Sequence, residues 1–255
     1  MKRMYPLLNL IGYAAMVIVN ILAERLPIGG KTTGEISAQY PVLVTPAGYA
    51  FAIWSLIYLL LLLFVFYGLT KKGRDSSSIA AIGPLFFLSC LSNITWILLW
   101  HYEQLTSSVF MMFALLISLI FIYSGTIRNE LRNSVERWLV SLPFSIYLGW
   151  ICVASIVNVA VALSANGWKG FGLSDTTWAV LMLCVAALLA LVLGLRHRDV
   201  AIMLVFVWAL VAIGVKQQAY PAVVWTAYAC AGIVAIAVLG LLVRSVSAKF
   251  RGRQG

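Results

Sequence analysis

The feature that most constrains this chain is an alternation of long apolar runs and short polar connectors. The runs lie near 6–23, 47–69, 79–100, 106–127, 138–162, 177–195, 200–215 and 221–243. About 20 apolar residues are what an α-helix needs to cross the roughly 30 Å hydrocarbon core of a bilayer. Connectors such as "KKGRDSSS", "HYEQLTSS" and "RHRD" are too short to hold a soluble domain. With 63% hydrophobic and 10% charged residues, and a mean hydropathy of +0.99, such a surface cannot be kept in water. The expected fold class is an all-α polytopic membrane protein with eight transmembrane helices. The run at 200–215 is short, and Lys216 at its end can snorkel to the interface.

The net charge is +10. Eight helices would place Lys2, Arg3, Lys71, Lys72, Arg74, Arg128, Arg132, Arg137, Arg196, Arg198, Arg244, Lys249, Arg251 and Arg253 on one side. Only Arg25, Lys31, Lys169 and Lys216 fall on the other. By the positive-inside rule both termini are cytoplasmic, and the chain is expected to be multi-pass in the cell (plasma) membrane. No basic stretch is interleaved with aromatics, so no nucleic-acid partner is expected. Residues 1–23 have the outline of a signal peptide, but no clear A-x-A site follows, and Asn20 and Glu24 stand where cleavage would fall. Cys90, Cys152, Cys184 and Cys230 each lie inside an apolar run without a C-x-x-C pair, so they read as small core residues.

Three runs carry aromatic and polar residues at helical spacing. In the second run Phe51, Trp54 and Tyr58 fall on one face, close after Pro46 and Gly48. Taken alone, this could be an aromatic belt at the membrane interface. Pro46 suits a first helical turn, and Gly48 would permit a close backbone approach. In the third run Asn93, Trp96 and Trp100 repeat the spacing. An amide in mid-membrane is costly unless it is satisfied, so Asn93 is either a helix–helix bond or a polar anchor in an aromatic-walled cavity. In the fifth run Trp150, Ala154 and Asn158 recur every four residues, with Tyr147 beside them. A ring, a small residue and an amide on one stripe form either a notch with a polar end or ordinary close packing. Pro143 is expected to kink that helix, freeing a backbone carbonyl nearby.

Together these motifs, "P-x-G-x-x-F … W-x-x-x-Y", "L-x-N-x-x-W" and "W-x-x-x-A-x-x-x-N", resemble the tryptophan-rich sensory protein family, also called the translocator protein or peripheral benzodiazepine receptor family. The stretch "LPIGGKTTGEISAQYPVLVTPAGYAFAIWSLIYL" is similar to its longer bacterial branch. The resemblance covers about residues 6–162. It implies a five-helix bundle around a hydrophobic pocket, covered by the loop between the first two helices, here 24–45. It also implies a porphyrin or heme-like tetrapyrrole as ligand, with no cofactor required. Ligand-binding residues would be Phe51, Trp54, Tyr58, Asn93, Trp96, Trp100, Tyr147, Trp150, Ala154 and Asn158, with Pro46 and Gly48 in the turn and lid. The chain departs from the family pattern in the Phe51–Trp54 spacing, in Pro143 lying seven residues before Trp150, and in three helices after about residue 170. The expected division is a binding bundle over 1–165 and a three-helix extension with a basic tail over 166–255.

These readings favour a membrane receptor or sensor for an apolar planar ligand, with the bilayer and a small hydrophobic molecule as partners. The alternative is a facilitative transporter of small hydrophobic molecules. No Asp, Glu, Lys or Arg lies in mid-span to form an ion-coupling site, and no inverted repeat is evident. An enzyme is less favoured. His101 and Glu103 lie close in sequence, but two residues are too few for a metal site, and no nucleophile–base pair can be located. Small-residue stripes at Ala186, Ala190 and Gly194, and at Ala227, Ala231 and Ala235, would let helices approach closely, either to pack the extension or to form a homodimer.

Overall fold

The computed structural model describes residues 5–26, 28–127 and 134–251. Lys2, Arg3, Arg128, Arg132 and Arg253 of the charge pattern lie outside the described residues. Among those described, the elements are helical: α1 (Tyr5–Arg25), α2 (Thr33–Ala38), α3 (Ile53–Leu69), α4 (Lys71–Arg74), α5 (Ser77–Ile82), α6 (Leu85–His101), α7 (Leu105–Ile127), α8 (Ser134–Glu136), α9 (Leu142–Ala165), α10 (Asp175–His197), α11 (Val200–Lys216) and α12 (Pro221–Arg251). Among the described residues, six helical stretches are long and apolar enough to cross a membrane: 5–25, 48–69, 105–127, 134–165, 175–197 and 221–245. α6 and α11 are apolar but shorter, at 17 residues each.

Two expected helices differ from their runs for local reasons. The run at 79–100 is broken. α5 ends at Gly83, whose φ of 51° is left-handed, and Pro84 follows it. A helix passing through Pro84 would lose a backbone bond and meet the proline ring, so the membrane-length element is only α6. The run at 138–162 starts earlier and irregularly. Arg137–Ser141 is a π-helical turn between α8 and α9, with the Leu142 N–H donating to the Arg137 carbonyl. Pro143, directly after it, has no N–H with which to continue the regular ladder.

The chain forms two compact units. The first contains residues 1–42 and 51–168. Its five long helices close into a ring in which α1 packs on α6, α6 on α7, α7 on α9, α9 on α3 and α3 on α1. One end of the interior is plugged by Phe64, Phe86 and Phe144, from three helices, with centroids 4.9–5.8 Å apart in edge-to-face pairs. All three side chains are fully buried. This layer has no polar atoms and makes a structural floor.

The second unit contains residues 43–50 together with everything from Lys169 onward. α10, α11 and α12 pack pairwise. Ser174 and Asp199 cap α10 and α11 by accepting the N–H groups of Thr177 and Ile202. Ala186, Ala190 and Gly194 are buried, as are Ala227 and Ala231, while Ala235 is half-buried. At Gly194 a Cβ would collide with the Met203 side chain, which marks a close contact between α10 and α11 where a larger residue would force Met203 to shift.

Candidate functional site

The other aromatic layer of the five-helix unit is different in kind from the floor. Phe51 stands in the 3-10 turn Gly48–Ala52, and Trp54 and Tyr58 lie in α3; Phe51 and Trp54 share Trp150 as a neighbour, and Tyr58 stacks on Trp54. Trp54 is the hub. Its ring lies 5.5 Å from Tyr58 at 20°, 6.1 Å from Trp96 at 29°, 5.9 Å from Tyr147 at 70° and 6.4 Å from Trp150 at 85°. Phe51 meets Trp150 edge-on at 5.9 Å, and Trp96 is 6.1 Å from Trp100. Three helices thus supply one cluster of flat and edge-presented rings. Such pairs contribute about 0.5–1.5 kcal/mol each beyond their buried area.

The polar groups around this layer form a chain of bonds. Asn93 accepts from Asn20 Nδ2 at 2.8 Å and donates to the Tyr147 hydroxyl at 3.1 Å. Asn20 also donates to the Met16 carbonyl at 2.9 Å. Trp96 Nε1 donates to Asn158 Oδ1 at 3.0 Å, and Asn158 Nδ2 donates to Ser108 Oγ at 2.9 Å. Both amides named from sequence therefore bond between helices, which accounts for their place in an apolar bundle. Trp150 is the exception. Its indole N–H is buried and has no hydrogen-bond partner among the described residues, although the side chain is only 2% exposed. Ala154, one turn further along α9, is half-buried.

The segment between α1 and α3 is tied down at the end of α6. Thr32 begins α2 with a reciprocal capping box: its hydroxyl accepts the Glu35 N–H, and the Glu35 carboxylate accepts the Thr32 N–H at 2.7 Å. The bonds from the Thr32 backbone and side chain hold the Glu35 carboxyl below the usual carboxylate range. Trp100 Nε1 donates to the Thr33 carbonyl at 3.3 Å. The ring nitrogens of His101 lie 2.9 Å from the Ile28 carbonyl and 3.1 Å from Thr33 Oγ1. The Thr33 N–H donates to Glu24 Oε1 at 3.1 Å, and Lys31 pairs with Glu103 at 2.9 Å. A Cβ at Gly34 would lie 3.8 Å from the Phe51 ring. Trp100 thus belongs both to the ring cluster and to the hold on this segment.

The expected cover at 24–45 divides: it belongs to the first unit through Val42 and to the second from Leu43. Pro46 and Gly48 are also in the second unit. A Cβ at Gly48 would meet no atom within 4 Å, so the close approach expected there is not made. Sequence reasoning gave no place in the site to Asn20, Thr33 and Ser108, and weighed His101 only as a metal ligand. Of these, Asn20 carried the same signal as Asn93, an amide stranded in an apolar run. No grouping of three or more His, Cys, Asp or Glu suited to a metal is present among the described residues. An open cleft of about 340 Å³ lies by Tyr40, Glu103, Thr106 and Asn166. It is polar and includes none of the clustered rings.

A family model described as TSPO-like protein matches residues 6–240. No curated protein and no solved structure matches the chain. The match runs beyond the limit of 162 set by the sequence motifs and includes α10, α11 and most of α12. The extension is therefore part of the matched pattern and not an unrelated addition. With the family match, the helical membrane architecture and the ring cluster in agreement, the chain belongs to the TSPO-like protein family.

Proposed function

We propose that the protein is a membrane receptor for an apolar planar ligand of the tetrapyrrole class, held among Phe51, Trp54, Trp96, Tyr147 and Trp150 next to Ala154. The observation that carries this reading is the buried, unpartnered indole N–H of Trp150 inside a cluster of rings. An unpaired buried donor costs about 1–3 kcal/mol. A ligand that brings an acceptor oxygen or nitrogen to it would recover that energy. Flat rings at two inclinations suit a planar molecule, and the half-buried Ala154 leaves room for its edge. Tyr58 and Trp100 flank this position, while Asn93 and Asn158 hold the walls through Tyr147 and Trp96.

In this reading all eight apolar helices cross the plasma membrane, with both termini cytoplasmic. A 17-residue helix is about 25 Å long, within the range that local thinning and snorkelling accommodate. His101 and Lys216 stand at the ends of the two short helices. The reading is tested by tryptophan quenching with protoporphyrin IX in nanodiscs. Ala154→Leu and Trp150→Ala are expected to weaken binding at least tenfold with folding retained. Trp225→Ala, on an exposed part of α12, is expected to leave affinity unchanged. Unchanged affinity in both Ala154→Leu and Trp150→Ala would overturn the assignment.

A further inference from the structure

Within the unit formed by 1–42 and 51–168, buried helical hydroxyls share one habit. Ser89, Ser108, Thr126 and Ser155 are buried, and each donates to a carbonyl three or four residues back on its own helix. Such back-bonding is how a serine or threonine is tolerated in an apolar helix. Ser37, in α2, departs from it. The residue is 1% exposed, and its hydroxyl oxygen has no hydrogen-bond partner among the described residues. The carbonyl four residues back is that of Thr33, and it accepts the indole N–H of Trp100 at 3.3 Å. That acceptor is engaged from outside the helix, and the Ser37 hydroxyl is left desolvated and unpaired.

Helix geometry gives the direction of this hydroxyl. Thr33 and Gly34 lie one turn before Ser37, and residues three and four apart share a face. A Cα–Cβ bond tilts toward the N-terminus of its helix, so the Ser37 side chain lies over that turn. The same turn abuts the ring cluster: Thr33 bonds Trp100, and a Cβ at Gly34 would lie 3.8 Å from the Phe51 ring. Phe51 in turn meets Trp150 edge-on, and the indole N–H of Trp150 is also buried and unpaired. Two unpaired donors from different elements thus border one ring. We propose that the Ser37 hydroxyl is a specificity-determining contact that recognises a carboxylate on a side chain at the edge of the bound ring. Both donors select an acceptor, and an ionised carboxylate is the strongest that a small molecule carries. The preferred ligand is then a tetrapyrrole carboxylic acid and not the bare macrocycle, an inference that rests on the receptor reading and narrows it.

The test uses the full chain in nanodiscs, with mesoporphyrin IX and etioporphyrin as tryptophan quenchers. Both carry methyl and ethyl groups on the same macrocycle, and only mesoporphyrin IX has propionate side chains. In Ser37→Ala, mesoporphyrin IX affinity is expected to fall about tenfold, the worth of one good hydrogen bond. Etioporphyrin affinity is expected to stay the same. The melting temperature is expected to hold or rise slightly, since no bond of the fold is lost. Ser118→Ala, whose hydroxyl back-bonds to the Ala114 carbonyl, is expected to change neither affinity. An equal fall for both porphyrins in Ser37→Ala would mean that the side chain only packs, and would overturn the proposal. So would an unchanged mesoporphyrin IX affinity, a marked loss of stability in that variant, or binding of etioporphyrin alone to the unmodified protein. Each of these leaves the receptor reading standing. Failure of both porphyrins to quench the unmodified protein would sink that reading, and this inference with it.

Discussion

At the scale of single residues, two buried indoles of the same layer make opposite predictions. Trp96 Nε1 is satisfied by Asn158, and Asn158 in turn by Ser108. Asn158→Leu leaves the Trp96 N–H without its acceptor and is expected to destabilise the fold by about 1–3 kcal/mol. Trp150 Nε1 has no partner to lose. Trp150→Phe therefore removes a desolvated donor, with an offsetting loss of ring area. Its melting temperature is expected to stay within a few degrees of the unmodified protein, while protoporphyrin IX affinity falls about tenfold, the worth of one good hydrogen bond. Thermal unfolding and quenching on the same two variants check both halves. A large stability loss in Trp150→Phe would mean that this indole is packing and not a recognition group. Such separation of stability from binding is expected where a site keeps a polar group unsatisfied for its ligand.

At the scale of elements, α2 is a short helix that depends on its cap. Thr32→Ala is expected to cost about 1 kcal/mol locally, read as faster amide exchange over 33–38. The Glu35 carboxyl lies below its ordinary range because Thr32 bonds to its charged form. Its contribution is therefore complete above the ordinary carboxylate pKa, and it is lost as pH falls through the lower, folded-state value. Exchange over 33–38 is expected to speed up on acidification below about pH 4, with the dependence abolished in Glu35→Gln. A pH-independent profile in the unmodified protein would contradict the cap. The α10–α11 contact gives a second element-level expectation. Gly194→Ala pushes a methyl group into Met203 and is expected to cost about 1–3 kcal/mol. Gly232→Ala in α12, where a Cβ meets nothing within 4 Å, is expected to be neutral or slightly stabilising.

At the scale of the whole molecule, chain order and unit membership do not coincide. The expected division at about residue 165 puts the segment 43–50 in the binding bundle, whereas the Ala47 N–H bonds the Ala212 carbonyl and the Thr45 and Ala50 carbonyls accept from Gln217 and Trp208, so that the segment belongs with residues 169 onward. A chain ended at Ala165 would leave the Thr45 and Ala50 carbonyls and the Ala47 N–H without these partners. It is expected to melt at a lower temperature, and its segment 43–52 to exchange rapidly, even where helices α1 to α9 still assemble. Unchanged exchange over 43–50 in the shortened chain would contradict the hold on that segment. Reporter fusions at 75, 133, 197 and 250 are expected to read cytoplasmic, and those at 33, 103, 170 and 218 external. A reversed pattern would refute the proposed orientation.

Hydropathy and helical spacing were enough to determine the class of this protein, because both follow from local physics. A bilayer demands apolar runs of fixed length with internally bonded backbones, and residues three and four apart share a face. Spacing therefore placed Phe51 and Trp54 on one face of their run and Trp96 on a face of another, while the joining of these with Tyr147 and Trp150 into one set came from the family resemblance. Where helices break was less legible, because hydropathy averaged over a run hides a break such as Gly83–Pro84 inside it, and the π turn Arg137–Ser141 straddles the start of the next run. What only the tertiary structure decided is who bonds to whom. By sequence alone Asn93 and Asn158 were equally able to face a ligand; the structure commits them to Asn20, Tyr147, Trp96 and Ser108. Trp150 looks like any other tryptophan in the sequence, and its unpaired N–H emerges only once every neighbour is in place. The bonds to segment 43–50 were hidden for the same reason: Thr45 and Gln217 stand 172 residues apart, and no local period links a carbonyl to an amide at that distance.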